Sequence, residues 1–222
     1  MAKPRLCFTL LYADGNFHLS RNFNLQSVGD FDWLLENYEF ESIIRSIDEL
    51  FILNVSSGEF DWSDYIKTIQ SLIEQCFMPV AIGGGVRNDE QAKMLFDNGA
   101  DKIILNSSFF INPELIKRLV LSYGAQSIVA SLDIKRNDSG NYIIIIEGGN
   151  KDSGLDLAAG ISKVVELGAG EIYLTSIDRD GTGMGYDMDI LEYASKACDL
   201  PIIASGGADT YDRLAEGIKS GY

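Results

Sequence analysis

Short runs of apolar residues alternate along this chain with stretches in which apolar residues return every third or fourth position. The runs predict β-strands over residues 6–11, 49–55, 78–82, 102–106, 127–132, 171–176 and 201–204. Between them "SDYIKTIQSLIEQC", "DEQAKMLFDNG", "NPELIKRLVLSYG", "GLDLAAGISKVVELG" and "DRLAEGIKSG" have the period of amphipathic helices. Gly99, Gly124, Gly168 and Gly221 stand where such helices would end on a C-cap. Strands that are apolar throughout, alternating with helices, imply a parallel sheet covered by helices. The segment "RNDSGNYIIIIEGG" after Asp133 predicts an added hairpin that interrupts this rhythm.

The chain also repeats itself. At an offset of 122 residues, "GGGVRNDEQAKMLFDNGA" from Gly83 falls on "SGGADTYDRLAEGIKSGY" from Ser205 without a gap. The same offset pairs Glu49 with Glu171 and Leu11 with Asp133. Two copies of a (βα)4 unit make a (βα)8 TIM barrel, so the expected fold is a single α/β barrel domain over residues 1–222, with half-barrels of about 1–122 and 123–222. Tyr222 is the twin of Ala100, after which the first copy runs on into "DKIILNSS". Strand 8 and helix 8 are therefore expected to be missing from this chain, by truncation or because another chain supplies them. An open barrel would leave unpaired strand edges.

Composition narrows the classes of function. A chain of 222 residues, 46% of them hydrophobic, can bury one sizeable core. Its formal net charge of −15 opposes binding to nucleic acid or an anionic membrane, and no basic patch offsets it. The longest apolar runs are of strand length and the start has no signal-peptide pattern, which points to the cytoplasm. Cys7, Cys76 and Cys198 are odd in number and far apart, and are expected to be small buried hydrophobes rather than disulfides or zinc ligands. His18, the only histidine, is expected in a polar loop, so no metal site is expected and nothing calls for a cofactor.

Barrel chemistry sits at the C-terminal ends of strands. Gly83–Gly85 and Ser205–Gly207 each follow a strand and precede a helix, an arrangement that lets backbone N–H groups approach an anion. Asn106, Ser107 and Ser108 add donors after the fourth strand. Two such turns related by the repeat suggest a ligand with two phosphates. Asp133 is the acid/base candidate, because a carboxylate closing an apolar strand needs a partner or a purpose. Asp178 and Asp180, in "SIDRDGTGMGYD", are further candidates, or aspartates that only form a turn.

The stretches "GGGVRNDEQAKMLFDNGADKIILNSS", "SIVASLDIKR", "LGAGEIYLTSIDRDGTGMGYD" and "LPIIASGGA" resemble the cyclase subunit of imidazole glycerol phosphate synthase over most of the chain. That resemblance implies a (βα)8 barrel with two phosphate grips. It implies a glutaminase partner at the barrel bottom, whose ammonia cleaves and cyclises a bisphosphorylated histidine precursor. It makes Asp133 the general acid, places Gly84, Gly85, Asn106, Ser107, Gly206 and Gly207 in the phosphate sites, and makes Arg5, Glu49, Lys102 and Glu171 the gate for ammonia.

The departures matter as much as the matches. Leu11 stands where the family has its general base, an aspartate; Leu19 replaces a lysine, and Asn54 an aspartate. Similar proteins with leucine-rich first strands occur in surface-polysaccharide pathways. There, with a glutaminase, they supply ammonia to an ATP-dependent ligase that amidates a nucleotide-linked sugar. The sequence favours that reading. An authentic cyclase of histidine biosynthesis, with Asp178 or another carboxylate as base, and a non-catalytic phosphate-binding barrel stay open as alternatives.

Overall fold

The computed structural model describes residues 4–38, 40–43, 45–75 and 77–219; Cys76, Gly221 and Tyr222, named above, lie outside the described residues. The chain divides into two compact units, the first made of Arg5–Leu19 and Leu25–Ile104, the second chiefly of Ser20–Asn24 and Leu105–Tyr222.

In the first unit the elements are β1 (Cys7–Ala13), β2 (Asn16–Arg21), β3 (Asn24–Gly29), α1 (Phe31–Asn37), α2 (Phe40–Ile43), β4 (Glu49–Asn54), α3 (Trp62–Ile73), β5 (Val80–Gly83), α4 (Asp89–Asp97) and β6 (Lys102–Leu105). The parallel strands lie in the order β6-β5-β4-β1. Leu50, Phe51, Ile52, Ala81 and Ile82 are fully buried, as strands covered on both faces must be. Tyr65 of α3 is also fully buried, and its hydroxyl donates to Ile52 O and Gly83 O. Side chains of Asp30, Asp61 and Asn88 cap α1, α3 and α4.

The second unit contains α5 (Ser107–Ile111), α6 (Pro113–Tyr123), β7 (Ile128–Arg136), β8 (Tyr142–Ile146), β9 (Lys151–Asp156), α7 (Leu157–Glu166), β10 (Glu171–Ser176), α8 (Met188–Ala197), β11 (Ile202–Ser205) and α9 (Tyr211–Lys219). β7, β10 and β11 are parallel; the expected hairpin is present as the end of β7 with β8, which is antiparallel to it, and β9 then pairs antiparallel with β8. Because β8 pairs with it, β7 runs three residues past Asp133 instead of ending there.

The repeat is carried residue for residue into backbone pairing. In β1 and β4, Cys7 faces Glu49 and Leu11 faces Leu53; in β7 and β10, Val129 faces Glu171 and Asp133 faces Thr175. Leu50 faces Val80 as Ile172 faces Ile202. Each second member lies 122 residues after its counterpart, and α4 and α9 begin and end at the same offset. Leu11 and Asp133 thus hold the same register position in two copies of one unit. This is an α/β fold built from half-barrel repeats, the class of the TIM barrels.

Two expectations need correction. His18 lies on β2, not in a loop, opposite Leu11. The strand forms because Phe17 is buried and packs edge-on against the Tyr12 ring, while its neighbours stay polar. Cys7 and Cys198 form no disulfide and are partly exposed, not buried, since one heads β1 and the other follows the end of α8.

Candidate functional site

Asp133 is 8% exposed, between the fully or almost fully buried Leu132 and Ile134. Its carboxylate accepts from Asn106 Nδ2 at 3.1 Å and from Ser131 Oγ at 3.3 Å. Burial pushes its pKa up from 3.8 to about 7; the Ser131 hydrogen bond opposes the rise and the nearby charge of Asp180 adds to it. A carboxyl poised there can both hold and release a proton near neutral pH.

Asn106 and Ser107 meet at this acid. Ser107 Oγ accepts from Glu147 N at 2.9 Å and donates to Asn106 Oδ1 at 3.1 Å. Asn106 Nδ2 then serves both Asp133 and Ser131 O. A relay therefore runs from the β8–β9 turn to the acid. Its start is unusual, for Glu147 has φ +55°, a left-handed conformation rare outside glycine.

The two loop aspartates differ. Asp178 accepts from Arg136 N at 2.8 Å, which ties the end of β7 to the loop after β10. Asp180 is the one whose charge reaches Asp133. Its carboxylate accepts from Ser20 Oγ at 2.5 Å and Phe23 N at 3.1 Å.

The glycine turns are places of close backbone approach. Gly84 has φ +92°, and a Cβ there would lie 2.0 Å from Asn54 O. At Gly85 a Cβ would lie 2.5 Å from the Phe60 ring. Gly206 and Gly207 repeat the pattern, with Ser176 O at 2.7 Å and Gly185 O at 2.2 Å from the added atom. Alanine at Gly84 is expected to destabilise the protein by about 2–4 kcal/mol, from left-handed strain and a clash with immobile backbone. Urea unfolding measures this. Asn54 is itself buried; its Oδ1 accepts from Ser56 N, while Nδ2 has no hydrogen-bond partner among the described residues. An aspartate, the residue that the resemblance leads one to expect here, would present no such donor.

At the opposite, N-terminal ends of the strands, Glu49 is 1% exposed and holds two cations: Arg5 at 2.8 Å through Oε2 and Lys102 at 2.9 Å through Oε1. Three of the four expected gate residues are thereby brought together. The fourth, Glu171, heads β10 at the position Glu49 has on β4.

Sequence reasoning missed Ser131, Ser20 and Glu147. Ser131 was findable, because residues two apart on a strand share a face. Ser20 was not, because 160 residues separate it from Asp180. Among the described residues, no helix is long and apolar enough to cross a membrane.

The family profile described as histidine biosynthesis protein matches residues 26–222. A relative from Parasynechococcus marenigrum, provisionally named imidazole glycerol phosphate synthase subunit hisF2, is 43% identical over 218 residues, 98% of this chain and 81% of its own. The imidazole glycerol phosphate synthase subunit HisF of Streptococcus mutans is 36% identical over 97% of this chain and 85% of its own. The HisF subunit of Dictyoglomus turgidum is 37% identical over 89% and 77%. With a family profile and such relatives matched over most of its length, the chain belongs to the histidine biosynthesis protein family, among its HisF-type synthase subunits.

Proposed function

We propose that this chain is the synthase subunit of a glutamine amidotransferase of the imidazole glycerol phosphate synthase type. It takes ammonia from a glutaminase partner at the Arg5, Glu49, Lys102 and Glu171 end, and a bisphosphorylated precursor at the Gly84, Gly85, Asn106, Ser107, Gly206 and Gly207 end. The observation that carries the reading is Asp133, a buried carboxyl oriented by Asn106 and Ser131 and poised to give a proton near neutral pH. The relatives named as HisF subunits of the synthase support this acceptor over others.

Leu11 favours a second reading. It stands at the register position of Asp133 in the first repeat, and a leucine cannot take a proton. A barrel that keeps the ammonia end and lacks the base suits delivery of ammonia to an ATP-dependent ligase amidating a nucleotide-linked sugar in surface-polysaccharide synthesis. One assay separates the two. With ammonium and the histidine precursor, the wild-type chain is expected to turn over, and Leu11→Asp to raise the rate by about 10²–10⁴-fold. Absence of turnover in both, together with stimulation of a glutaminase, would select the second reading. Absence of both activities would leave a phosphate-binding barrel without catalysis.

A further inference from the structure

The second unit holds a cavity of about 450 Å³ that the proposed function does not use. Its walls come from Tyr142 and Ile143 at the start of β8, from Asp156 and Leu157 where β9 passes into α7, and from Asp189 and Tyr193 on α8. Asp189 and Tyr193 are four residues apart on one helix, so both side chains fall on the same face. Tyrosine rings and apolar side chains thus enclose a space large enough for a whole small molecule. The charge is one-sided: among the described residues, two carboxylates line the cavity and no lining side chain is basic. The N-terminal ends of α7 and α8 do not reverse this. Asp156 Oδ1 accepts from Ala159 N at 2.8 Å, and Asp189 stands in the first turn of α8, so each helix end is already matched by a carboxylate.

The chain itself shows what these walls can hold. The guanidinium carbon of Arg136 lies 4.6 Å from the centroid of the Tyr142 ring, and Arg136 Nη2 donates to the Tyr142 hydroxyl and lies 3.6 Å from Asp189 Oδ2. Two residues of the cavity wall therefore already hold a guanidinium, an internal stand-in for a ligand. The stand-in does not saturate them. At 3.6 Å it makes no close pair with Asp189, whose side chain is 80% exposed. Tyr193, 46% exposed, adds a second ring.

We propose that this cavity binds a small organic cation carrying a guanidinium group, with Asp156 and Asp189 as counter-charges and the Tyr142 and Tyr193 rings as stacking walls. A planar guanidinium suits such walls better than an ammonium, because it stacks on a ring and forks onto a carboxylate. Ile143 and Leu157 take the hydrocarbon part of the ligand. The proposal uses neither Asp133 nor the glycine turns, so it stands whether or not the chain turns over the histidine precursor.

The test titrates the full chain with n-butylguanidinium and, separately, with n-butylammonium at physiological salt, following the backbone amides by NMR. Saturable shifts are expected at Ile143, Leu157 and Tyr193, with n-butylammonium binding about 2–5-fold more weakly. Asp189→Asn, Tyr193→Ala and Asp156→Asn, which keeps a capping oxygen for α7, should each weaken n-butylguanidinium binding by about 2–5-fold. Glu192→Gln removes a charge from the same helix outside the cavity and should leave binding unchanged. Absence of saturable binding, or equal affinity for the two cations, would overturn the guanidinium site. An equal loss in Glu192→Gln and Asp189→Asn would also overturn it, since the ligand would then be following the net charge of −15 and not these walls. Should Tyr193→Ala not fold, the two asparagine variants carry the same comparison.

Discussion

Replacing Asp133 with asparagine is expected to make the protein more stable and nearly inactive. The folded-state pKa of Asp133 is raised from 3.8 to about 7, so the fold binds a proton that the unfolded chain gives up. The contribution of this group is most favourable below about pH 4, declines as the pH rises, and is lost once the pH passes the folded value of about 7. Above neutrality, ionised Asp133 therefore costs the fold up to about 4 kcal/mol, three pKa units at about 1.4 kcal/mol each. Asparagine has no charge to bury, so the Asp133→Asn variant should gain stability over wild type at pH 8, less at pH 5, and little near pH 4. Urea unfolding at the three pH values checks the trend; a gain independent of pH would refute the ionisation account. On the proposed function, turnover should fall by about 10²–10⁴-fold, because an amide cannot deliver the acid's proton. Rising stability with falling activity is what a group kept for chemistry and not for folding produces.

Glu49→Ala is expected to act in the opposite direction. Glu49 is 1% exposed, and its partners Arg5 and Lys102 have side chains 27% and 15% exposed. Removing the carboxylate takes from two half-buried cations the buried counter-charge that they share. Breaking a buried pair from one side costs about 3–5 kcal/mol, and partial exposure of the cations places this case near 3. Glu192 gives the contrast: its pair with Lys196 is on the surface, and Glu192→Ala should leave stability close to that of wild type. Denaturation midpoints of the two variants in low salt and in about 0.5 M salt, where exposed charges are screened within roughly 4 Å, distinguish them, since only a shielded cluster keeps its effect. On the proposed function, Glu49→Ala also uncouples the barrel from its glutaminase, and glutamine hydrolysis should no longer respond to it.

Much of this architecture is legible in the sequence because two independent signals agree. Strand-length apolar runs mark β4, β5, β6, β10 and β11 to within about two residues, and the 122-residue offset then predicts which strands match. The same offset singles out Leu11 as the twin of a carboxylate, and the pairing registers of β1 and β7 put it at the position that Asp133 holds. The β2 strand is less legible because it is built from "NFHLSR", where one buried phenylalanine does the packing and the polar residues read as a loop. In the site, Asp133 is visible as a charge among apolar neighbours. Asp178 and Asp180 are not separable by sequence, since both sit in the same glycine-rich turn; only contacts with Arg136 on one side and Ser20 on the other give them different work. The glycine turns are ambiguous in another way, for a pair of glycines can serve a ligand or a neighbouring backbone, and at Gly84 and Gly207 the backbone contact alone demands glycine.

Ser107 has a single hydroxyl hydrogen, and the relay gives it to Asn106 Oδ1. A phosphate oxygen arriving at this residue needs that same hydrogen, because two acceptors cannot share one donor at full strength. Binding at Ser107 would then release Asn106 Oδ1 and loosen the amide that orients Asp133. By reciprocity, anything that fixes Asp133 against Asn106 must weaken the hold on the anion by the same free energy. On the proposed function, ligand capture and acid orientation at this end of the protein are thus two claims on one proton.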